Sequence, residues 1–146
     1  MLEKAIIIAT TAHQGQVDKG GEPYILHPIR VMLSGKTKIE KICGVLHDVI
    51  EDTDITLEYL KNQGFSDEVL LSLDALTKRY SESYDKFINR ILENEIACKV
   101  KLADLSDNMD LSRIKNPSEK DYKRIEKYRN ATNKIFKEIY VKTTDI

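Results

Sequence analysis

The segment Gly44-Val45-Leu46-His47-Asp48-Val49-Ile50-Glu51-Asp52-Thr53 decides how the rest of the chain is organised. It places one histidine and three carboxylates within six residues of an otherwise apolar run. Residues three and four apart share one face of an α-helix, so a helix here would put His47 beside Glu51. The same spacing would put Asp48 beside Asp52. Ionisable groups next to an apolar core are costly unless they are paired or bind a cation, so the segment predicts a metal-binding helix rather than the alternative, a solvated helix end.

Two polar residues elsewhere in the chain, His27 and Asp104, have the same side-chain types as the residues of this segment. His27 directly precedes Pro28, which biases it away from the α conformation and suits it to be a fixed ligand at a helix start; the alternative is an ordinary capping or surface residue. Asp104 stands among apolar residues of the predicted helix Ile96–Leu111, where a lone carboxylate needs a partner, and Asn108 follows it by one turn. The sequence therefore predicts a constellation of two imidazoles and two carboxylates: His27, His47, Asp48 and Asp104.

The donor types in this constellation limit the chemistry. Two imidazoles and two carboxylates suit a borderline or harder divalent ion such as Mn²⁺, Fe²⁺ or Zn²⁺, and the absence of thiolates at these positions argues against a closed structural zinc site. Four protein ligands leave room for water and a phosphate oxygen on an ion that accepts six, and such a water acidifies toward neutrality. Glu51 and Asp52 are predicted to orient or deprotonate that water. Asn108 is predicted to hold a substrate hydroxyl or phosphate.

Composition excludes several classes of partner. The 146 residues fit one domain, and 23 basic against 24 acidic residues favour neither nucleic acid nor an anionic membrane. The apolar stretch Ala5–Ala12 is too short to span a bilayer, and a charge-led signal peptide is missing. Cys43 and Cys98 lie in apolar helical runs and are expected to be small core residues in a reducing compartment. The chain is predicted to be cytoplasmic, with no nucleic acid or membrane partner; its oligomeric state stays open.

The pattern along the chain predicts helices only. Apolar residues recur on a helical period, whereas the alternation typical of strands does not persist anywhere. The glycines of Gly15–Tyr24 indicate a loop, and they lack the spacing of a phosphate-binding loop. The expected fold is one all-α domain over residues 1–146. Its predicted helices are Leu2–Gln14, Ile29–Leu33, Lys38–Ile50, Thr56–Gln63, a segment from a Ser66 cap to about Leu76, Ser83–Glu93, Ile96–Leu111 and a last helix from a Ser118–Asp121 capping box to about Tyr140.

Four blocks of the chain resemble, in order and at similar separation, the motifs of the RelA/SpoT-type alarmone hydrolase domain of the HD superfamily. They are Ala12-His13-Gln14-Gly15-Gln16, Gly21-Glu22-Pro23-Tyr24-Ile25-Leu26-His27-Pro28, Leu46-His47-Asp48-Val49-Ile50-Glu51-Asp52-Thr53 and Lys101-Leu102-Ala103-Asp104. The resemblance spans about Leu2 to Lys134. No synthetase domain follows, so the architecture is similar to that of the stand-alone small alarmone hydrolases. This implies a single-domain HD-type helical bundle over residues 1–146.

The resemblance also implies an activity. Its metal ligands would be the four residues of the constellation, holding Mn²⁺, with Glu51 and Asp52 as the catalytic pair. The reaction implied is hydrolysis that releases pyrophosphate from the 3′ position of guanosine tetra- or pentaphosphate. Asn108 matches a residue near the nucleoside in that family, and Lys19 is available to contact the nucleotide. His13 belongs to the motif as well, but a packed residue that supports the site is expected there.

The chain also departs from the family pattern. The family usually has Arg-Lys where this chain has Asp18-Lys19, and an aspartate cannot stack on a base as the arginine does. Leu105 and Asp110 stand where the family often has positive charges. The ligands are unaffected, so the alternatives concern the substrate: guanine, adenine or another nucleotide with a phosphorylated ribose. Two further alternatives are an HD-type phosphohydrolase of another small phosphate ester and a non-catalytic nucleotide-binding module.

Overall fold

The computed structural model describes residues 1–141 and is all-α, as predicted. Within that range the only extended pairing is one isolated antiparallel bridge between Val17 and Pro23. No helix of residues 1–141 has both the length and the apolar character that crossing a membrane would require. The prediction of one domain over residues 1–146 stays a prediction, and its last five positions lie outside the described residues. The helices are α1 (Leu2–Ala12), α2 (Leu26–Ser34), α3 (Lys38–Leu46), α4 (Val49–Asp52), α5 (Leu57–Asn62), α6 (Asp67–Ala75), α7 (Tyr84–Ile91), α8 (Glu95–Asn108) and α9 (Glu119–Phe136), followed by a π-helical turn, Lys137–Val141.

Local capping residues start most of these helices. The Ser66 hydroxyl accepts the Val69 N–H at the start of α6, as predicted. The predicted capping box at the start of α9 is also present, with Asp121 in the place usually held by glutamate. A further capping box of Thr37 and Glu40 starts α3. Because the first N–H groups of a helix have no partner within it, these side chains fix where each helix begins.

Helix α3 lies at the centre of the packing. It contacts α1, α2, α6 and α8, and its residues from Ile42 to Leu46 are all buried. Gly44 allows the close approach of α2, because a Cβ atom at this position would lie 3.0 Å from the backbone of Met32. A larger residue there would force the two helices apart at a cost of about 1–3 kcal/mol. This approach brings the residues of α2 next to those that follow α3.

The predicted continuous helix Lys38–Ile50 is interrupted. Helix α3 ends at Leu46, and α4 begins at Val49, so His47 and Asp48 form the junction between two helices. The His47 Nδ1 atom donates to the Gly44 carbonyl at 2.6 Å, which is the carbonyl that the Asp48 N–H would bind in a continuous helix. The His47 side chain, which belongs to the candidate site, therefore also interrupts the helix.

His27 also differs from its prediction. It was expected just before the second helix, but α2 begins at Leu26 and includes it. Pro28 is tolerated there because the N–H groups of the first turn need no helical partner. The His27 N–H instead binds the Tyr24 carbonyl at 3.0 Å. Contacts of the His27 ring with α8, described below, outweigh the local bias against the α conformation. Cys43 and Cys98 are buried, as predicted.

Candidate active site

The four predicted metal-binding residues converge, although they come from three different parts of the chain. The Asp104 Oδ1 atom lies 2.9 Å from His27 Nε2 and 3.3 Å from His47 Nε2. The Asp48 Oδ2 atom lies 3.1 Å from His47 Nε2 and 3.7 Å from His27 Nε2. His27, His47 and Asp104 are buried, and each offers a ligand atom within 4.8 Å of the other two. We call these four residues the metal constellation.

The spacing and chemistry of the metal constellation fit a divalent ion. Two neighbouring octahedral ligands at about 2.1 Å from an ion lie about 3.0 Å apart, which is close to the separations of the Asp104 oxygen from the two imidazole nitrogens. Two imidazole nitrogens with carboxylate oxygens suit borderline and harder ions of the first transition row. The group is therefore a site that could hold a metal ion, and its geometry does not select one metal.

A second set of contacts fixes the direction of both imidazoles. The His27 Nδ1 atom donates to the Asp107 carboxylate at 2.6 Å, and His47 Nδ1 donates to the Gly44 carbonyl. Arg30 holds Asp107 in turn, with its Nε 2.7 Å from Oδ1. Because each Nδ1 carries the proton that it donates, each Nε2 is left to face the constellation. Partners of this kind usually orient metal-binding histidines and raise their affinity for metal.

The carboxylates of the metal constellation also have fixed partners. The Tyr24 hydroxyl donates to Asp48 Oδ2 at 2.5 Å. Lys101 Nζ lies 2.8 Å from Asp104 Oδ2, on the oxygen that does not face the histidines. The Asn108 amide donates to the other oxygen, Asp104 Oδ1, at 2.9 Å. Every carboxylate is thus hydrogen-bonded, as burial of a charge requires.

The pKa shifts within the metal constellation favour the binding of a cation. Burial opposes the charge on His47, but the carboxylates of Asp48 and Asp104 outweigh it and hold the pKa of His47 well above its usual range. Burial likewise opposes the charge on Asp104, and Lys101 and His47 outweigh it, so the pKa of Asp104 lies well below its usual range. The site therefore keeps its carboxylates ionised, and a bound cation would take the place of the proton on the imidazole.

Glu51 and Asp52, the predicted catalytic pair, lie exposed beside the metal constellation. The Glu51 Oε1 atom accepts the backbone N–H of Lys78 at 2.7 Å. The Asp52 carbonyl accepts the side-chain amide of Gln16 at 3.1 Å, and the other end of that amide contacts His13 Nδ1 at 2.9 Å. His13 is buried and supports this chain of contacts, which agrees with its predicted role as a packed residue behind the site.

The pKa of Asp52 is raised. Partial loss of hydration is the largest cause, and the nearby charges of Asp48 and Glu51 add to it. A carboxyl group whose pKa is moved toward neutrality is a better proton acceptor than an ordinary aspartate at the pH of a cell. The catalytic role of this residue stays a prediction.

Two adjoining cavities open at the site. The first, about 310 Å³, holds Glu51 and Asp52 together with part of the metal constellation, and three lysines line it. We call it the lysine cavity. Its polar and aromatic lining residues include Lys78, Lys101, Lys127, Tyr84 and Phe87. Positive charge and the predicted catalytic carboxylates therefore share one space.

The second cavity, about 290 Å³, is lined by Arg30, Arg113 and Arg124, and we call it the arginine cavity. It shares four lining residues with the lysine cavity: Tyr24, His27, Asn108 and Tyr128. Lys19, one of the predicted substrate-binding residues, lines it and lies 3.9 Å from Asp121 with its side chain 59% exposed. Asn108, the other, lines both cavities, so the structure brings both predicted substrate contacts to this region.

The departures from the family pattern have different structural consequences. Leu105 is fully buried in the core, so it does not remove a charge from the arginine cavity. Asp110 lines that cavity, where Arg113 pairs with it at 3.2 Å. Asp18 lines it too, but its Oδ1 atom accepts the backbone N–H groups of Gly20 and Glu22, which closes the loop. Other segments supply arginines to this cavity, and each of them is paired with a carboxylate.

Sequence reasoning missed the residues that support the metal constellation. Asp107 follows Asp104 by three positions on α8, but its separation from His27 by 80 positions hides their contact. Tyr24 lies inside the motif that runs from Gly21 to Pro28, yet nothing in its spacing indicates a hydrogen bond to Asp48. Lys101 at i−3 from Asp104 was the one detectable signal, since oppositely charged residues three apart on a helix pair readily.

The fold and the site define an all-α domain with an HD-type arrangement of histidines and aspartates. No protein-family model matches the chain. It is 34% identical over 127 residues to a "GTP pyrophosphokinase" of Myxococcus xanthus, covering 75% of this chain and 17% of that one. It is 31% identical over 123 residues to a guanosine-3′,5′-bis(diphosphate) 3′-pyrophosphohydrolase of Vibrio cholerae, covering 74% and 17%. It is 34% identical over 122 residues to the bifunctional (p)ppGpp synthase/hydrolase SpoT of Escherichia coli, covering 74% and 17%.

A solved structure agrees with this fold. It belongs to a metazoan orthologue of SpoT described as hydrolysing ppGpp, with a TM-score of 0.74 and 23% identity over 95% of this chain and 85% of that one. The chain belongs to the RelA/SpoT-type hydrolase domain family, as its motifs predicted. It spans 17% of the length of the bacterial relatives named above.

Proposed function

We propose that the chain is a metal-dependent pyrophosphohydrolase that removes the 3′-pyrophosphate from guanosine or adenosine tetra- or pentaphosphate alarmones. One observation carries the proposal: the metal constellation, the Glu51/Asp52 pair and three lysines all line or border the lysine cavity. An acid–base pair beside a cation site serves hydrolysis, and three ammonium groups serve a substrate that carries several phosphate charges. The names of the bacterial relatives add support for this substrate class.

His27, His47, Asp48 and Asp104 would hold Mn²⁺, with Fe²⁺ or Zn²⁺ as alternatives that suit the same donors. A divalent ion there would acidify a water molecule and screen the charge of the attacked phosphoryl group. The protein's own contribution is to keep both Nε2 atoms pointed inward, through Asp107 and the Gly44 carbonyl. It also keeps the carboxylates ionised, through Lys101 and Tyr24.

Asp52 is the proposed general base. Water adds to the phosphorus that is joined to the ribose 3′ oxygen, and Asp52 accepts the proton that the water loses. The bond between that phosphorus and the 3′ oxygen breaks, the oxygen takes up a proton from solvent, and pyrophosphate leaves. Glu51, held by the Lys78 N–H, is placed to orient the water. The lysines neutralise the charge of the departing group.

The arginine cavity is the proposed seat of the rest of the nucleotide. Arg113 and Arg124 line it, and Lys19 lies at its rim, so it offers positive charge to 5′ phosphates. Asn108 stands between the two cavities, where it is placed to contact the ribose. Asp18 and Asp110 add two carboxylates to the same lining, and an arginine that would stack on a base is missing from the loop. Because of these carboxylates and the missing arginine, both adenine and guanine are candidate bases of the substrate.

A substrate panel tests the proposal. Purified protein with Mn²⁺ would be incubated with guanosine and adenosine 3′-pyrophosphates, NADPH and simple nucleotides, and the released product would be identified. Pyrophosphate release is expected. Orthophosphate release would instead indicate another phosphohydrolase, and binding without turnover would indicate a nucleotide-binding module.

A variant controls this panel. Asp48→Ala should lose both bound metal and turnover, and full activity in this variant would contradict the assignment of Asp48 as a ligand. Asp67→Ala, on the first turn of α6, is a matched control that should keep both. A cytoplasmic location, the lack of nucleic acid and membrane partners, and a single domain remain predictions from the sequence.

A further inference from the structure

Tyr84 is the one residue lining the lysine cavity whose hydroxyl is shielded from solvent and has no hydrogen-bond partner within residues 1–141. It is the first residue of α7, where Ser83 caps the helix by accepting the Lys86 N–H at 3.2 Å. Buried hydroxyl groups in folded proteins are almost always hydrogen-bonded, because leaving one unpaired destabilises the fold. An unpaired hydroxyl beside a proposed active site is therefore expected to have a partner in the bound ligand.

The surroundings of Tyr84 indicate what that partner is. Lys127 Nζ lies 4.1 Å above the centre of the Tyr84 ring. Lys101 Nζ lies 5.1 Å above the ring of Phe87, whose centre is 6.2 Å from that of Tyr84. Two ammonium groups and a hydroxyl donor together are suited to the oxygens of a phosphate group.

Tyr84 is suited to donate a hydrogen bond and not a proton. Burial raises the pKa of Tyr84 to about 12, although Lys101 lowers it in part. The hydroxyl consequently stays neutral at the pH of a cell. A neutral donor binds an anionic oxygen without changing the charge of the site.

We propose that Tyr84 donates its hydroxyl hydrogen bond to the terminal phosphate of the bound 3′-pyrophosphate, beside the ammonium groups of Lys101 and Lys127. The inference rests on the proposed function, because it assigns a role within the same cavity. Its consequence is specificity: a substrate with a single 3′ phosphate lacks the group that Tyr84 contacts. Tyr84 would then help to select pyrophosphate esters over monophosphate esters.

The test compares Tyr84→Phe with the unmodified protein, using inorganic pyrophosphate and inorganic orthophosphate as probes for the Mn²⁺-loaded protein in calorimetric titrations. Tyr84→Phe keeps the ring contacts with Phe87 and Lys127 and removes only the hydroxyl. Pyrophosphate affinity should fall about tenfold, which is the size expected for one hydrogen bond to a charged group. Orthophosphate affinity should change less than about twofold. Tyr122→Phe, an exposed tyrosine on α9, is the matched control and should leave both affinities unchanged.

Two further readouts separate the possible roles. If Tyr84 had only a structural role, Tyr84→Phe would lower the melting temperature of the ligand-free protein; we expect no decrease, since the hydroxyl has no partner to lose. Unchanged pyrophosphate affinity, or an equal loss for both probes, would overturn the proposal. Because binding is measured without turnover, the inference can fail while the substrate panel succeeds. The panel can equally fail while pyrophosphate affinity still depends on Tyr84.

Discussion

The metal constellation and the arginine cavity differ in how firmly their charged groups are held. In the constellation, His47 and Asp104 have side chains 3% and 6% exposed, and each has partners on more than one side. In the arginine cavity, Lys19 is 59% exposed and Asp110 is 48% exposed, and their ion pairs lie in or next to loops. Exposed ion pairs of this kind contribute little to stability, whereas removing one partner of a buried ion pair strongly destabilises the fold. The charged groups of the metal constellation are thus held in place by the fold, whereas those of the arginine cavity are held less firmly.

This comparison predicts that substitutions beside the metal constellation act on rate and metal affinity. Substitutions in the arginine cavity should act mainly on substrate preference.

Asp52→Asn should lower turnover by about 10²–10⁴-fold, because an amide cannot accept a proton from water. In the unmodified protein, Asp52 must be ionised to act, so the rate should fall as the pH drops through its pKa. That pKa is raised by lost hydration and by Asp48 and Glu51, so the acid limb should lie above the ordinary aspartate value of about 4. A pH–rate profile measures this, and Asp52→Asn should lack the limb. A control variant, Asp54→Asn, should retain it; an unchanged limb in Asp52→Asn would exclude Asp52 as the base.

Asp107→Ala should weaken metal binding by about 10–100-fold, because His27 Nδ1 would lose its acceptor and Arg30 its partner. Metal affinity can be measured by competition with a chelator in the absence of substrate. Asp110→Ala, three residues further on and paired only at the surface, is the matched control and should change metal affinity little. Equal effects of the two substitutions would show that α8 is sensitive as a whole and would remove the special role of Asp107.

Asp18→Arg should change the preference between guanine and adenine nucleotides by a few-fold, with metal affinity unchanged. The loop would lose the hydrogen bonds that Asp18 accepts from Gly20 and Glu22, and it would gain a group able to stack on a base. The ratio of kcat/KM for the two nucleotides measures the effect. Asp18→Asn, whose Oδ1 atom can still accept both of those N–H groups, separates loop closure from base contact. An unchanged ratio in Asp18→Arg would show that this loop does not contact the base.

Much of the fold follows from local signals in the sequence. The helical period, the Ser66 cap and the Ser118–Asp121 capping box predicted helices that the structure contains. Two local rules gave the wrong result at the site itself. The helix through His47 is interrupted, and His27 lies inside a helix despite the proline after it. In both places, contacts of the imidazole ring outweigh the local conformational preference of the backbone.

The candidate site was predicted as a set of residues but not as an arrangement. Carboxylates and histidines among apolar residues are conspicuous in a sequence, because burial of a charge demands a partner. The supporting residues are ordinary by the same measure: a tyrosine in a loop, a third aspartate on an acidic helix end and a lysine on a charged helix. The roles of the tyrosine and the aspartate depend on contacts with residues 24 and 80 positions away, which no local pattern records.

The sequence by itself determined the helical class, the four residues suited to hold a metal ion and the family to which the chain belongs. The first two follow from residue types and short spacings, which act through helix geometry and the cost of burying charge, and the family follows from the resemblance of four motifs. Only the tertiary structure decided which atoms of those residues face one another and which arginines line the arginine cavity. It also left the Tyr84 hydroxyl without a hydrogen-bond partner among residues 1–141. Those features arise where α2 and α8 pack against α3, and where α7 and α9 pack against α8, because packing fixes the distance and direction between side chains that the chain itself keeps far apart.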